Sequence, residues 1–105
     1  MTTPKLDTFR TMVAKHPANA LARFGLANEL LKAELFEEAT VELRAYLGMY
    51  EDEGNAFGRL AEALIKLGRE DEARDALTTG IETATRHGHA GLAGELEARL
   101  DELDV

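Results

Sequence analysis

The 105-residue chain contains no cysteine, serine, tryptophan or glutamine. Without cysteine it can form neither disulfide bonds nor thiolate zinc sites, and it has no thiol nucleophile. Without serine it also lacks the commonest hydroxyl nucleophile. An active site would then need another nucleophile or a perturbed acid–base pair in a deep pocket, and the sequence indicates neither. We therefore expect a protein that is not an enzyme and that carries no cofactor and no metal.

Positive charge is also scarce. The net charge is −8, from 20 acidic and 12 basic residues, and the basic residues are dispersed among the acids. Because such a chain is repelled by phosphate groups, we expect neither nucleic acid nor an anionic membrane as its partner. No apolar run approaches the length of a membrane span and no leader sequence opens the chain. We therefore expect a soluble cytoplasmic protein, with a single domain at this length.

Apolar residues recur at helical spacing along the whole chain, and no segment alternates in the manner of a strand. This pattern predicts six helices, at about residues 3–16, 20–33, 36–48, 53–67, 70–87 and 90–103. Thr3, Asn19 and Asp52 are predicted N-caps, and Gly68 is predicted to end the fourth helix. Since the turns are short, neighbouring helices must be antiparallel. The predicted fold class is all-α.

A repeat of 34 residues lies within this helical pattern. Leu26-Ala27 recurs as Leu60-Ala61, Leu30 as Leu64, Lys32 as Lys66, Glu38-Ala39 as Glu72-Ala73, and Leu43 as Leu77. A period of this length indicates stacked helical hairpins, in which each unit leaves a face that its neighbour covers. Such arrays usually offer a groove to a partner, so the repeat favours a binding module.

The pattern Leu26-Ala27-x-x-Leu30 … Phe36-x-x-Ala39 … Leu43, with its second copy, resembles the tetratricopeptide repeat. The resemblance covers about residues 20–87 and implies a helical hairpin solenoid whose units stack into a right-handed superhelix. It implies one domain, residues 1–105, with a leading half-repeat helix (3–16), two repeats (20–50 and 52–87) and a C-terminal capping helix (90–103). Arg23 departs from the family pattern, because it stands where an aromatic residue is usual.

In that family the first helix of each repeat lines a binding groove. Carried over by position, the groove residues are Phe24, Asn28, Leu31 and Lys32, then Asn55, Gly58, Arg59, Glu62, Ile65 and Lys66. Some family members hold a carboxylate between asparagine and basic side chains. By that resemblance, Asn28, Lys32, Arg59 and Lys66 are candidates to bind a partner's acidic side chain or C-terminal carboxylate. The alternative is a solvated surface on which Glu62 neutralises the cations.

The resemblance implies a non-catalytic scaffold or adaptor that binds a peptide or partner segment in this groove. Two alternatives stay open. If Phe24, Leu31 and Ile65 all face the groove, a structural homo-oligomer can bury them between copies, unless the sixth helix covers them. The other alternative is a domain that binds a small ligand or assists an enzyme.

Overall fold

The computed structural model describes residues 3–104, and within them the chain forms six α-helices and no strand. The helices are α1 (Pro4–Lys15), α2 (Ala20–Lys32), α3 (Phe36–Met49), α4 (Asn55–Lys66), α5 (Glu70–Arg86) and α6 (Ala90–Leu103). The all-α class is confirmed, and every helix end lies within one residue of its predicted place except the start of α4. Met1, Thr2 and Val105, which the predicted domain includes, lie outside the described residues.

Short polar side chains cap the first turns of α1 and α2. Oγ1 of Thr3 accepts a hydrogen bond from the Leu6 amide, and Oδ1 of Asn19 accepts one from the Ala22 amide, each at 3.1 Å. Both residues are therefore N-caps, as predicted, and each satisfies a backbone donor that the helix itself leaves unpaired.

Asp52 acts at the start of α4 in a different way from the predicted one. Its Oδ2 accepts hydrogen bonds from the amides of Gly54, at 2.8 Å, and Ala56, at 2.9 Å. Gly54 is the N-cap residue and has a φ of +122°. Since this left-handed backbone cannot continue into a helix, α4 begins at Asn55 rather than at residue 53. A Cβ on Gly54 would lie 3.1 Å from the Gly80 carbonyl oxygen, so only a residue without a side chain fits at this turn.

One type of turn joins the helices of each hairpin. The amides of Leu35, Arg69 and His89 each donate back to a carbonyl five residues earlier, at 2.8–2.9 Å. The residue before each donor has a positive φ: Glu34 at 60°, Gly68 at 76° and Gly88 at 78°. These are Schellman turns, and they confirm the predicted end of α4 at Gly68. Glu34 adopts the same left-handed backbone conformation although it is not glycine.

The internal contacts of the chain divide it into two compact units, Met1–Glu51 and Asp52–Val105. The first unit contains α1, α2 and α3, and α2 packs against both other helices. Its core includes Leu6, Val13, Leu26, Leu30 and Ala39, all buried. The Phe9 ring lies over Gly25, where a Cβ would overlap it, so α1 approaches α2 closely. The single domain of residues 1–105 stays a prediction.

Two arginine–glutamate pairs hold the first unit together at its edges. Arg10 of α1 binds Glu38 of α3 through Nε–Oε2 at 3.0 Å and Nη2–Oε1 at 2.8 Å. Arg23 of α2 binds Glu42 of α3 at 2.8 Å, and both side chains are mostly buried. An ion pair between α2 and α3 thus occupies the position where the family usually places an aromatic ring.

The Arg10–Glu38 pair makes the first unit sensitive to acid. The hydrogen bond from Arg10 lowers the pKa of the Glu38 carboxyl below its ordinary value of 4.5. A lowered folded-state pKa adds stability above the unfolded value, and this stability is lost as the pH falls through the folded pKa. Because the pair is partly exposed, screening by solvent keeps its contribution small.

We expect Glu38→Gln to lower the melting temperature at pH 7 by about 2–4 °C, as a small loss of stability does in a chain of this size. The difference from wild type should shrink towards zero as the pH falls through the lowered pKa of Glu38, because the wild-type carboxyl then becomes protonated too. Thermal melts followed by circular dichroism at pH 3, 5 and 7 measure this. Glu82→Gln is the matched control, since Glu82 forms no ion pair among the described residues. A pH-independent difference for Glu38→Gln would contradict the assignment.

The second unit contains α4, α5 and α6, and α5 packs against both other helices. Leu60, Leu64, Leu77 and Leu96 are buried in it. Leu96 of α6 inserts between two glycines: its methyl carbons lie 2.9 Å from the place of a Cβ on Gly58 and 3.0 Å from one on Gly80. The two glycines form the notch that positions α6 beside α4.

Burial follows the 34-residue repeat. Leu26 and Leu60 are 2% and 3% exposed, and the following alanines, Ala27 and Ala61, are fully buried. The pairs Leu30 and Leu64, Ala39 and Ala73, and Leu43 and Leu77 are all fully buried as well. Residues 34 positions apart are therefore buried to the same extent in the two hairpins.

Candidate protein-interaction site

In the first unit, the predicted groove residues of α2 are partly used by the unit itself. The Phe24 ring packs on Tyr46 of α3, with centroids 4.8 Å apart, and Tyr46 stacks in turn on Tyr50 at 5.3 Å. Leu31 is half-buried against the core of the unit. Oδ1 of Asn28 is buried and accepts no hydrogen bond among the described residues. These side chains offer a partner less free surface than the sequence alone indicates.

Lys32 is the exposed cation of this helix, with 70% of its side chain accessible. Its Nζ lies 3.2 Å from Oε2 of Glu29, which Lys5 also approaches at 3.6 Å. The hydrogen bond from Lys32, with the nearby charge of Lys5, lowers the pKa of the Glu29 carboxyl. Such exposed pairs are weak, so a partner's carboxylate can compete for Lys32.

In the second unit, α4 and α6 together line a cleft of about 200 Å³. Its walls, which we call the α4–α6 cleft, are formed by Asn55, Gly58, Arg59 and Glu62 from α4 and by Leu92, Glu95, Leu96 and Arg99 from α6. Each set has the spacing i, i+3, i+4, i+7, which is one side of a helix. Both helices are antiparallel to α5, so the two sides run parallel along the cleft.

The cleft carries charges of both signs. Nη1 of Arg99 donates to the Gly58 carbonyl at 3.4 Å, and its Nη2 lies 3.5 Å from Oε1 of Glu95. Both separations are long, so these interactions are weak. Glu62 is exposed and forms no ion pair among the described residues. The Arg99 guanidinium can thus leave Glu95 for a better acceptor.

Of the predicted site residues in this unit, Asn55, Arg59 and Glu62 lie together in the cleft, with Gly58 between them. Ile65 and Lys66 are exposed one turn further along α4 and do not line it. Lys66 forms no ion pair among residues 3–104. The predicted set therefore divides into a cleft group and an exposed group.

The contribution of α6 to the cleft was missed by the sequence analysis. The sequence analysis assigned residues 90–103 to a C-terminal capping helix and included none of them in the groove. The available signal was the spacing of Leu92, Glu95, Leu96 and Arg99, which matches the spacing of the α4 residues.

A histidine–carboxylate pair lies outside the cleft. Nε2 of His89 is 2.6 Å from Oε1 of Glu53, and this hydrogen bond lowers the pKa of the Glu53 carboxyl. The pair joins the segment before α4 to the segment before α6. Within the described part of the chain, no three histidine or acidic side chains are grouped so that they could hold a metal ion. In the same residues, no helix is both long enough and apolar enough to cross a membrane.

Comparison with known proteins identifies the fold family. The family model described as the tetratricopeptide repeat matches residues 30–94, which is more than half of the chain. The protein belongs to the tetratricopeptide repeat family. Members of this family are in general modules of protein–protein interaction.

A solved structure is similar over almost the whole chain. The solution structure of protein BPP2914 from Bordetella parapertussis aligns with a TM-score of 0.81 at 28% sequence identity. The alignment covers 99% of this chain and 90% of the Bordetella protein. The search of curated proteins finds no match.

Proposed function

We propose that this protein is a non-catalytic interaction module that binds a partner protein's segment with the first helix of each repeat. The α4–α6 cleft is the observation that supports this proposal best. It lies on the side of α4 where the family resemblance places the groove, and α6 extends that side with four further residues. Phe24, Asn28, Leu31 and Lys32 are the corresponding residues of α2 in the first unit.

The size of the cleft favours a protein segment over a small ligand. Sites for small molecules usually enclose about 300–1,000 Å³ and bury most of the ligand. The α4–α6 cleft has about 200 Å³, is open to solvent and has charged walls. It has room for one or two side chains of a longer segment. We therefore expect the ligand to be a peptide segment that extends out of the cleft at both sides of these side chains.

The partner chemistry we propose is a carboxylate, either an acidic side chain or a free C-terminus. Arg99 is held by two weak interactions, and a carboxylate can accept two parallel hydrogen bonds from its guanidinium. Arg59 lies in the same cleft, and the exposed Lys66 lies one turn of α4 beyond Glu62. Glu62 and Glu95 would repel a segment that carries only negative charge, so we expect the chosen segments to include a cation as well.

A library of nine-residue peptides with free C-terminal carboxylates tests the proposal. We expect the selected peptides to bind the Arg99→Glu variant more than tenfold more weakly than they bind the wild-type protein, because charge reversal replaces attraction of the peptide carboxylate by repulsion. Arg86→Glu is the matched control: it makes the same charge change on α5, outside the cleft. Amidated copies of the peptides show whether the terminal carboxylate or an acidic side chain is bound. Circular dichroism should show unchanged helicity in both variants.

The double variant Lys32→Glu with Lys66→Glu tests the exposed cations, and we expect it to weaken an acidic peptide by more than tenfold as well. Amide chemical shifts should change on α4 and α6 when a selected peptide is added. Equal binding by wild type and Arg99→Glu, or shifts confined to the outer side of α5, would show that the cleft is not the site.

A further inference from the structure

The outer side of α1 is a surface that the proposed function leaves unused. Leu6, Phe9 and Val13 turn towards α2, and the opposite side of α1 carries a shallow hollow of about 410 Å³. Asp7, Thr8, Thr11, Met12, Lys15 and His16 line this hollow. Met12 lies near its middle with 39% of its surface exposed, flanked by the small side chains of Thr8 and Thr11.

The charges of α1 are divided between its two sides. Lys5 pairs with Glu29 of α2 and Arg10 pairs with Glu38 of α3, so both cations are used within the first unit. Asp7 and Lys15 line the outer side, and neither forms an ion pair with another described residue. The Asp7 carboxylate is, however, near enough to Arg10 to add to the effect of the Glu38 hydrogen bond in raising the pKa of the Arg10 guanidinium. Asp7 and Lys15 stand eight residues apart, which is about 12 Å along a helix.

This arrangement is complementary to itself. If a second copy lays its α1 antiparallel across the first, a two-fold axis through the region of Thr11 brings each Asp7 opposite the partner's Lys15. The same axis brings the two Met12 side chains together, so that each covers the other's exposed apolar surface. In a two-fold symmetric interface every such contact occurs twice. Small threonine side chains allow the usual interhelical distance of about 8–10 Å.

We propose that the outer side of α1 is a homodimer interface between two copies of this protein, formed by antiparallel α1 helices. The interface is distinct from the α4–α6 cleft and does not depend on the proposed function. One pair of 12-residue helices buries less than the roughly 800 Å² per partner of a standard interface. The dimer is therefore weak, forms at high concentration, and dissociates as salt screens the two ion pairs.

Sedimentation velocity on the whole protein, at concentrations from about 10 μM to 1 mM, gives the first measurement. The expected mass rises from that of one 11.5 kDa chain towards that of two. We expect Asp7→Lys alone, with only cations on the interface, and Lys15→Asp alone, with only anions, to remain monomeric. An equimolar mixture of the two variants should dimerise in the same concentration range as the wild type, because the two lysines of one variant then face the two aspartates of the other.

Several outcomes would overturn this proposal. A wild-type protein that stays monomeric at 1 mM has no such interface. A mixture of the two folded variants that stays monomeric shows that these charges do not meet. Dissociation by Ile65→Lys would place the dimer contact on α4 instead. If either charge variant loses helicity, Met12→Glu decides the question, since this exposed residue can change without loss of the fold and should by itself abolish the dimer.

Discussion

Replacing Leu60 by alanine should lower the free energy of unfolding by about 2–4 kcal/mol, as buried leucine-to-alanine changes do. Leu60 is only 3% exposed, so the change removes apolar contacts and leaves a cavity in the second unit. Chemical denaturation followed by circular dichroism measures the effect. Leu21→Ala is the matched control, because Leu21 is 77% exposed and its loss should cost less than about 0.5 kcal/mol.

The repeat adds a stricter form of this prediction. Leu26 stands 34 residues before Leu60 and is buried to the same extent, so Leu26→Ala should have a cost similar to that of Leu60→Ala. Amide hydrogen exchange in each unit would separate the two effects if the units unfold independently. A change near zero at either position would mean that the hairpins are not equivalent.

The second large effect is expected at Gly80, in the middle of α5. An alanine here gains about 1 kcal/mol in helix propensity. Its Cβ, however, would lie 2.9 Å from Cβ of Phe57 and 3.0 Å from a methyl group of Leu96. The Phe57 Cβ is fixed to the backbone of α4, and the buried Leu96 side chain has little room to move, so an overpacking cost of about 1–3 kcal/mol is expected. We therefore expect a net loss of stability for Gly80→Ala.

Gly94→Ala is the matched control for this change, and we expect it to increase stability where Gly80→Ala decreases it. No atom lies within 4 Å of a Cβ at Gly94, so the propensity gain of about 1 kcal/mol should appear as added stability. Melting temperatures of the two variants and the wild type measure the comparison. If Gly80→Ala is as stable as Gly94→Ala, then α6 does not pack into the notch between Gly58 and Gly80.

The fold could be predicted from the sequence because its signals are local or periodic. The buried pairs such as Ala39 and Ala73 follow directly from the 34-residue period of the sequence. The N-caps Thr3 and Asn19 act within three residues of themselves, so no tertiary information is needed to find them. Glycines at the turns, such as Gly68, mark the hairpins in the same way.

The start of α4 shows where local signals were insufficient. Asp52 was correctly associated with this helix, but its carboxylate accepts hydrogen bonds from the Gly54 and Ala56 amides on either side of the helix start. Gly54 also packs so closely on Gly80 of α5 that a Cβ there would lie 3.1 Å from the Gly80 carbonyl oxygen. That contact joins residues far apart in sequence, and capping preferences do not encode it.

The candidate site could be predicted only in part, for a related reason. The residues Asn55, Arg59 and Glu62 follow from the position of α4 in the repeat, and the structure brings them to one cleft. The opposite wall depends on how α6 lies against α5 and α4, and Leu96 determines this by its insertion between two glycines. Likewise, Phe24 is a groove residue by position, yet it packs against Tyr46, which only tertiary contacts show.

Different residues of α6 anchor the helix and supply the charges of the cleft, and this separation is useful for redesign. Ala93 and Leu96 are buried and attach the helix, whereas Glu95 is exposed and Arg99 is half-buried beside them. The charge pattern of the cleft wall can therefore be rewritten at Glu95 and Arg99 while the anchoring residues stay untouched. A library randomised at these two positions would yield variants that share one scaffold and differ in the ligands they accept.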